Sequence, residues 1–122
     1  MALVLYLEGR RMPSSVRDCF TSAESGKSTI VIPAIVLAEI GYLAEKGRIS
    51  ATLEDVNKLI NEKENFSVIN LDLEVIRQAF QIKDIPELHD RLIAATAAVH
   101  GIPLLSNDPA IEKSGSTKTI WE

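Results

Sequence analysis

Short apolar runs alternate with helix-patterned stretches along this chain, and that alternation restricts its fold more than any other feature. Residues 29–32 are a β-branched run, Thr-Ile-Val-Ile, and Pro33 follows directly as a good first helical residue. The helix it opens runs to about Lys46, where Gly47 suits the C-cap. A second helical unit covers residues 52–63, capped by Thr52, with Leu53, Val56, Leu59 and Ile60 directed inward. Residues 67–71 read as a strand and residues 72–82 as a helix capped by Asp72. Pro86 opens a further helix that ends before Gly101. Residues 103–106 form a strand, residues 107–109 a loop, and residues 118–121 a last short strand. Ahead of this series, residues 1–8 are apolar and ambiguous between strand and helix. Residues 9–15 form a loop, with Ser14 or Ser15 as N-cap. Residues 16–25 form a helix with Val16, Cys19, Phe20 and Ala23 on one face, closed by Gly26. Strands that alternate with helices favour a parallel sheet covered on both faces. At 122 residues the chain is expected to be one α/β domain over residues 1–122.

Three carboxylates stand out against this frame. In such sheets, ligands bind beyond the carboxyl ends of the strands. Glu39 lies in the helix PAIVLAEIGYLAEKG, where Ile35, Val36, Tyr42 and Leu43 share its face. A carboxylate in that company is partly desolvated, and it must be protonated, paired with a cation or bound to metal. Asp90 lies in the first turn of PELHDRLIAATAAVHG, where the helix dipole favours an anion. Ala94 and Ala97 on its face allow close approach to the sheet. Asp108 follows the strand IPLLS directly. Each acid alone has an ordinary structural role: a buried paired Glu, a capping Asp, an Asx-type turn before Pro109. Together they form an oxygen-only donor set suited to Mg²⁺ or Mn²⁺ rather than zinc.

Bulk properties remove several alternatives. The 46% apolar content supports one real core. No apolar run reaches membrane-span length, and the N-terminus lacks the basic region of a signal peptide. Cys19 is the one cysteine, so neither an internal disulfide nor a cysteine-based zinc site can form, and a cytoplasmic location is expected. His89 and His100 are too few for a His-rich metal site, and read as a surface or capping residue and a dipole partner. The net charge of −4 argues against binding nucleic acid through a broad basic surface. It allows a nuclease whose negative charge is gathered at one cation. Arg10, Arg11 and Arg17 read as a solvated surface group. Residues 25–29, Ser-Gly-Lys-Ser-Thr, resemble part of a P-loop, but Thr21 stands where its first glycine belongs and a strand follows instead of a helix. Cys19 reads as a small buried apolar residue, and Trp121 as packing for the last strand.

Four segments carry a family resemblance. HDRLIAATAAVHGIPLLSNDPAI, residues 89–111, is similar to the C-terminal half of PIN domains, especially VapC-type toxins of toxin–antitoxin pairs. VIPAIVLAEIGYLAEKGRI, residues 31–49, resembles the family's second acidic helix. MALVLYLEG resembles the start of its first helix and TKTIW its last strand. The resemblance implies a three-layer α/β/α fold with a parallel sheet and an Mg²⁺- or Mn²⁺-dependent ribonuclease, homodimeric and paired with an antitoxin. It matches Glu39, Asp90 and Asp108 to metal-site acids that serve catalysis, and Ser106 to a supporting hydroxyl. Arg91, next to the matched acid, takes an orienting or structural role. The family's first strand, which ends in a further Asp, falls about two positions before Met1 and so has no counterpart in residues 1–122. That strand is central in the family's sheet, so a groove is expected in its place, open to another segment or chain. Glu8 is misplaced to supply the missing acid.

Two other functions compete with metal-dependent RNA cleavage. One is a binding module with little catalysis, which engages an antitoxin or itself. The other is a different α/β enzyme using an Asp nucleophile, such as a phosphatase or phosphoacceptor domain. That chemistry needs an acid at the end of the first strand, and none stands there.

Overall fold

The computed structural model describes residues 2–122. Helix α1 (Ala2–Leu7) and helix α2 (Ser14–Glu24) precede strand β1 (Ile30–Pro33) and helix α3 (Ala34–Glu45). Helix α4 (Leu53–Glu62), strand β2 (Phe66–Ile69) and helix α5 (Leu73–Ala79) follow. The C-terminal part holds helix α6 (Leu88–His100), strand β3 (Leu104–Leu105), helix α7 (Pro109–Ser114) and strand β4 (Thr119–Ile120).

Every strand pair is parallel, as the alternation predicts, but the strands form two separate ribbons. β1 pairs with β2, with Ile30 opposite Phe66 and Pro33 opposite Ile69. β3 pairs with β4, with Leu104 opposite Thr119. Between the ribbons opens a cavity of about 790 Å³, lined by β1 and by residues 102–108. The groove expected from the resemblance is therefore present.

Residues 2–7 become helix because their apolar side chains are needed on one packed face. Ala2, Leu3 and Val4 are buried. The Tyr6 ring stacks 4.3 Å from Phe20 and 5.7 Å from Phe66. Its hydroxyl donates to Glu24 Oε1 at 2.9 Å, and burial followed by that carboxylate raises its pKa to about 12. Glu8 fixes the end of α1. Its Oε2 accepts the Ser50 N–H at 2.7 Å, the Ser50 hydroxyl at 2.8 Å and the Ala51 N–H at 3.0 Å. Those donors, the Ala51 N–H foremost, hold its pKa near 2. Glu8 is thus committed to structure, in line with its exclusion from the acid set.

The core has two parts. Val16, Phe20, Ile32, Ile40, Val56 and Phe66 anchor the first, under α1 to α4 and β1–β2. Val75, Ile82, Ile85, Leu92, Ala95 and Ile111 anchor the second, among α5, α6 and α7. Full burial of each large aliphatic or aromatic side chain contributes about 1.5–3 kcal/mol.

Several local expectations change. Pro13, not Ser14 or Ser15, is the N-cap of α2, and Ser14 is already helical. Glu87 caps α6, so Pro86 stays outside the helix it was expected to open. Leu53 is 46% exposed, because it occupies the first helical position of α4, before the buried stripe of Val56 and Leu59 begins. Thr52 forms the full reciprocal cap with Asp55. Cys19 is half-buried and faces the cavity. Residues 107–109 do not form a loop alone: Asp108 caps α7 and Pro109 opens it.

Candidate active site

Glu39, Asp90 and Asp108 all line the cavity between the two ribbons. Glu39 is supplied by α3, which leaves β1 at Pro33. Val36 and Ile40 bury one side of that helix, and Glu39 lies beside them. One carboxylate oxygen, Oε1, is fully buried and has no hydrogen-bond partner. Burial raises the Glu39 pKa, Asp90 and Glu87 push it in the same direction, and the His89 ring opposes them.

Asp90 is the third residue of α6, after Leu88 and His89. Its backbone N–H donates to Glu87 Oε2 at 2.9 Å, which closes the first turn. The small side chains that follow bring α6 close against its neighbours: Ala94, Ala95 and Ala97 are buried. Thr96 is buried too, its hydroxyl donating to the Leu92 carbonyl at 2.7 Å. Burial raises the Asp90 pKa, and the neighbouring Asp108 and Glu87 carboxylates raise it further. The helix dipole, which favours an anion here, is outweighed.

Asp108 is held at the exit of β3 by its role as N-cap. Its Oδ1 accepts the Ala110 N–H at 2.9 Å, and its own N–H donates to Ser106 Oγ at 3.1 Å. Ser106 therefore orients Asp108. Arg91 turns away from the acids: its Nε donates to the carbonyl of the buried Ile85. That contact ties the start of α6 to the segment before it, a structural role.

Glu87 and His89 are members of this neighbourhood that the sequence reading passed over or gave to the surface. His89 Nδ1 lies 2.9 Å from Glu87 Oε1, and both side chains are half-exposed. Burial pushes the Glu87 pKa up, but the N–H groups of Asp90 and His89 and the His89 ring outweigh it and hold the pKa low. Glu is not among the usual N-cap residues, so the sequence carries no direct signal for the role of Glu87.

Asp90 and Glu87 thus act electrostatically on Glu39, and Asp108 and Glu87 on Asp90. Among the described residues, however, no group of three or more His, Cys, Asp or Glu side chains stands close enough to hold an ion as positioned. The donors fit a hard divalent cation in kind: carboxylate oxygens only, one of them buried without a partner, and two pKa values raised by burial and then by neighbouring carboxylates. Glu39, Asp90 and Asp108 are the residues that would hold it.

A family model, PIN domain, matches residues 2–115. The chain belongs to the PIN domain family. PIN domains are generally nucleases. A chain of the crystal structure of VapBC2 from Rickettsia felis, bound to a DNA fragment from their promoter, superposes with a TM-score of 0.69. It is 19% identical, and the match covers 100% of this chain and 96% of that one. At that identity the likeness supports the PIN fold itself. No curated protein matches the chain. No helix among the described residues is long and apolar enough to cross a membrane.

Proposed function

We propose that this PIN domain is a divalent-metal-dependent endoribonuclease acting as the toxin of a toxin–antitoxin pair. The single observation that carries the reading is the unpartnered buried oxygen of Glu39, set in one cavity with Asp90 and Asp108. An anionic oxygen in that position costs roughly 1–3 kcal/mol unless something satisfies it. Glu39, Asp90 and Asp108 would share such a cation, which would satisfy that oxygen and offset their mutual repulsion. A bound Mg²⁺ or Mn²⁺ supplies an acidified water and charge stabilisation at a phosphate. The chain's own part is to fix the donors: the Glu87 cap sets the first turn of α6, and Ser106 and the α7 cap set Asp108. The Ser106 hydroxyl is engaged by the Asp108 N–H and keeps a positioning role, and direct hydrolysis without a covalent intermediate is the reaction expected.

Membership of a nuclease family supports the activity, and the toxin–antitoxin complex in the structural neighbour supports an antitoxin as partner. A homodimer and a cytoplasmic location belong to the same reading. The test is cleavage of a fluorogenic RNA in Mn²⁺. Asp90→Asn should abolish cleavage that EDTA also abolishes, while the far-ultraviolet circular dichroism is unchanged. Equal cleavage by the variant would remove the assignment.

A further inference from the structure

Glu87 uses its two carboxylate oxygens on two different neighbours. Oε2 accepts the Asp90 N–H at 2.9 Å, and Oε1 lies 2.9 Å from His89 Nδ1. One carboxylate therefore fixes both the backbone at a site acid and the imidazole next to it. An exposed ion pair of this kind adds little to stability. The ring nevertheless stays open to solvent, with 52% of the His89 side chain exposed. Of the charged groups that act on Glu39, the His89 ring has the largest effect, and it acts on Asp90 as well. The ring thus stands on the side of the α6 start where the acids are. Donation to Glu87 keeps a proton on Nδ1, so Nε2 is the ring atom left to meet a ligand.

We infer that His89 Nε2 contacts a ribose 2′-hydroxyl of a strand bound at the acids, with Glu87 as the residue that positions the ring. His89 then selects RNA over DNA in the nuclease proposed above, a role that rests on that activity. The chemistry of the neighbourhood selects this partner. A hydroxyl both donates and accepts, so it pairs with Nε2 whether or not that atom carries a proton. A phosphate oxygen only accepts, and beside this ring it would meet the carboxylates of Glu87, Asp90 and Glu39. The uncharged hydroxyl meets no such repulsion. Every ribonucleotide carries the group, so the contact sets the class of nucleic acid and not its sequence.

The experiment compares two fluorogenic strands of one sequence in Mn²⁺: RNA, and its fully 2′-fluoro counterpart, which cannot donate at that position. Water is the attacking group, so the 2′-fluoro strand remains a substrate. Wild type should cleave RNA with a kcat/KM about tenfold or more above the 2′-fluoro strand, the size of one lost hydrogen bond. His89→Ala should lose that preference. His89→Gln, whose amide offers both a donor and an acceptor, should keep part of it. A second readout needs no turnover. In the Asp108→Asn variant, expected to leave the strand intact, RNA should shift the His89 Cε1–H resonance. The resonance of His100, at the far end of α6, should stay in place. Wild type that cleaves neither strand overturns the nuclease reading and this role with it. Equal cleavage of both strands by wild type, a full RNA preference in His89→Ala, or an unmoved His89 resonance overturns the role of His89 alone and leaves the nuclease standing.

Discussion

Replacing Glu39 with Gln should make the metal-free protein more stable and the metal-loaded protein less so. Glu39 Oε1 is buried without a partner, and burial, with Asp90 and Glu87, raises the pKa above the ordinary 4.5. A folded pKa above the unfolded one means that the folded state holds the proton more tightly. Stability is then greatest below about pH 4.5 and falls as pH rises through the folded value. Fully burying a charge costs several kcal/mol, but Glu39 is only half-buried and its field is screened by solvent, which leaves about 1 kcal/mol. For a domain of this size that is a rise of about 3–5 °C in Tm for Glu39→Gln at pH 7.5 in EDTA. The gap between the proteins should close as pH falls toward 4.5. Mn²⁺ at about 100 times its Kd should add roughly 2.7 kcal/mol to the wild type, and far less to the variant, which inverts their order. Differential scanning calorimetry with EDTA or Mn²⁺ measures all four states. A variant no more stable than wild type in EDTA at pH 7.5, or stabilised by Mn²⁺ to the same degree, refutes the reasoning.

Three further outcomes follow from particular contacts. Glu87→Ala removes the cap on the Asp90 N–H and should cost about 1 kcal/mol in urea unfolding, with hydrogen exchange at the first turn of α6 accelerated. Glu8 titrates near 2 when folded, so its contribution is present above about pH 4.5 and is lost as pH falls through 2. Glu8→Gln should flatten that acid limb of the stability curve while leaving Mn²⁺ binding unchanged. Ile40→Ala opens a hole at a fully buried position and should cost about 2–5 kcal/mol, read as a lower urea midpoint.

The parallel α/β frame was legible because strand and helix periods differ and because Thr52 and Asp72 cap the helices they precede. The division into two ribbons was foreshadowed only through the family resemblance: composition and periodicity say which segments are strands, but not which edges remain open. Glu39 was visible as a charge in an apolar stripe, Asp108 by its place after β3. α7 was missed because its six residues are too few to show a period. Its start signal, Asp108 followed by Pro109, is the same cap that orients the acid. Glu87 was passed over because exposed acids near helix starts are common, and only its contact with Asp90 gives it a place in the site.

The central claim is that Glu39, Asp90 and Asp108 share one divalent cation. Electron paramagnetic resonance of free Mn²⁺, titrated with protein at neutral pH, tests it most directly. The account predicts saturable uptake by the wild type that is weakened at least tenfold by each of Glu39→Gln, Asp90→Asn and Asp108→Asn, and unaffected by Glu8→Gln. Uptake unchanged in any of the three site variants, or no uptake by the wild type, would contradict it.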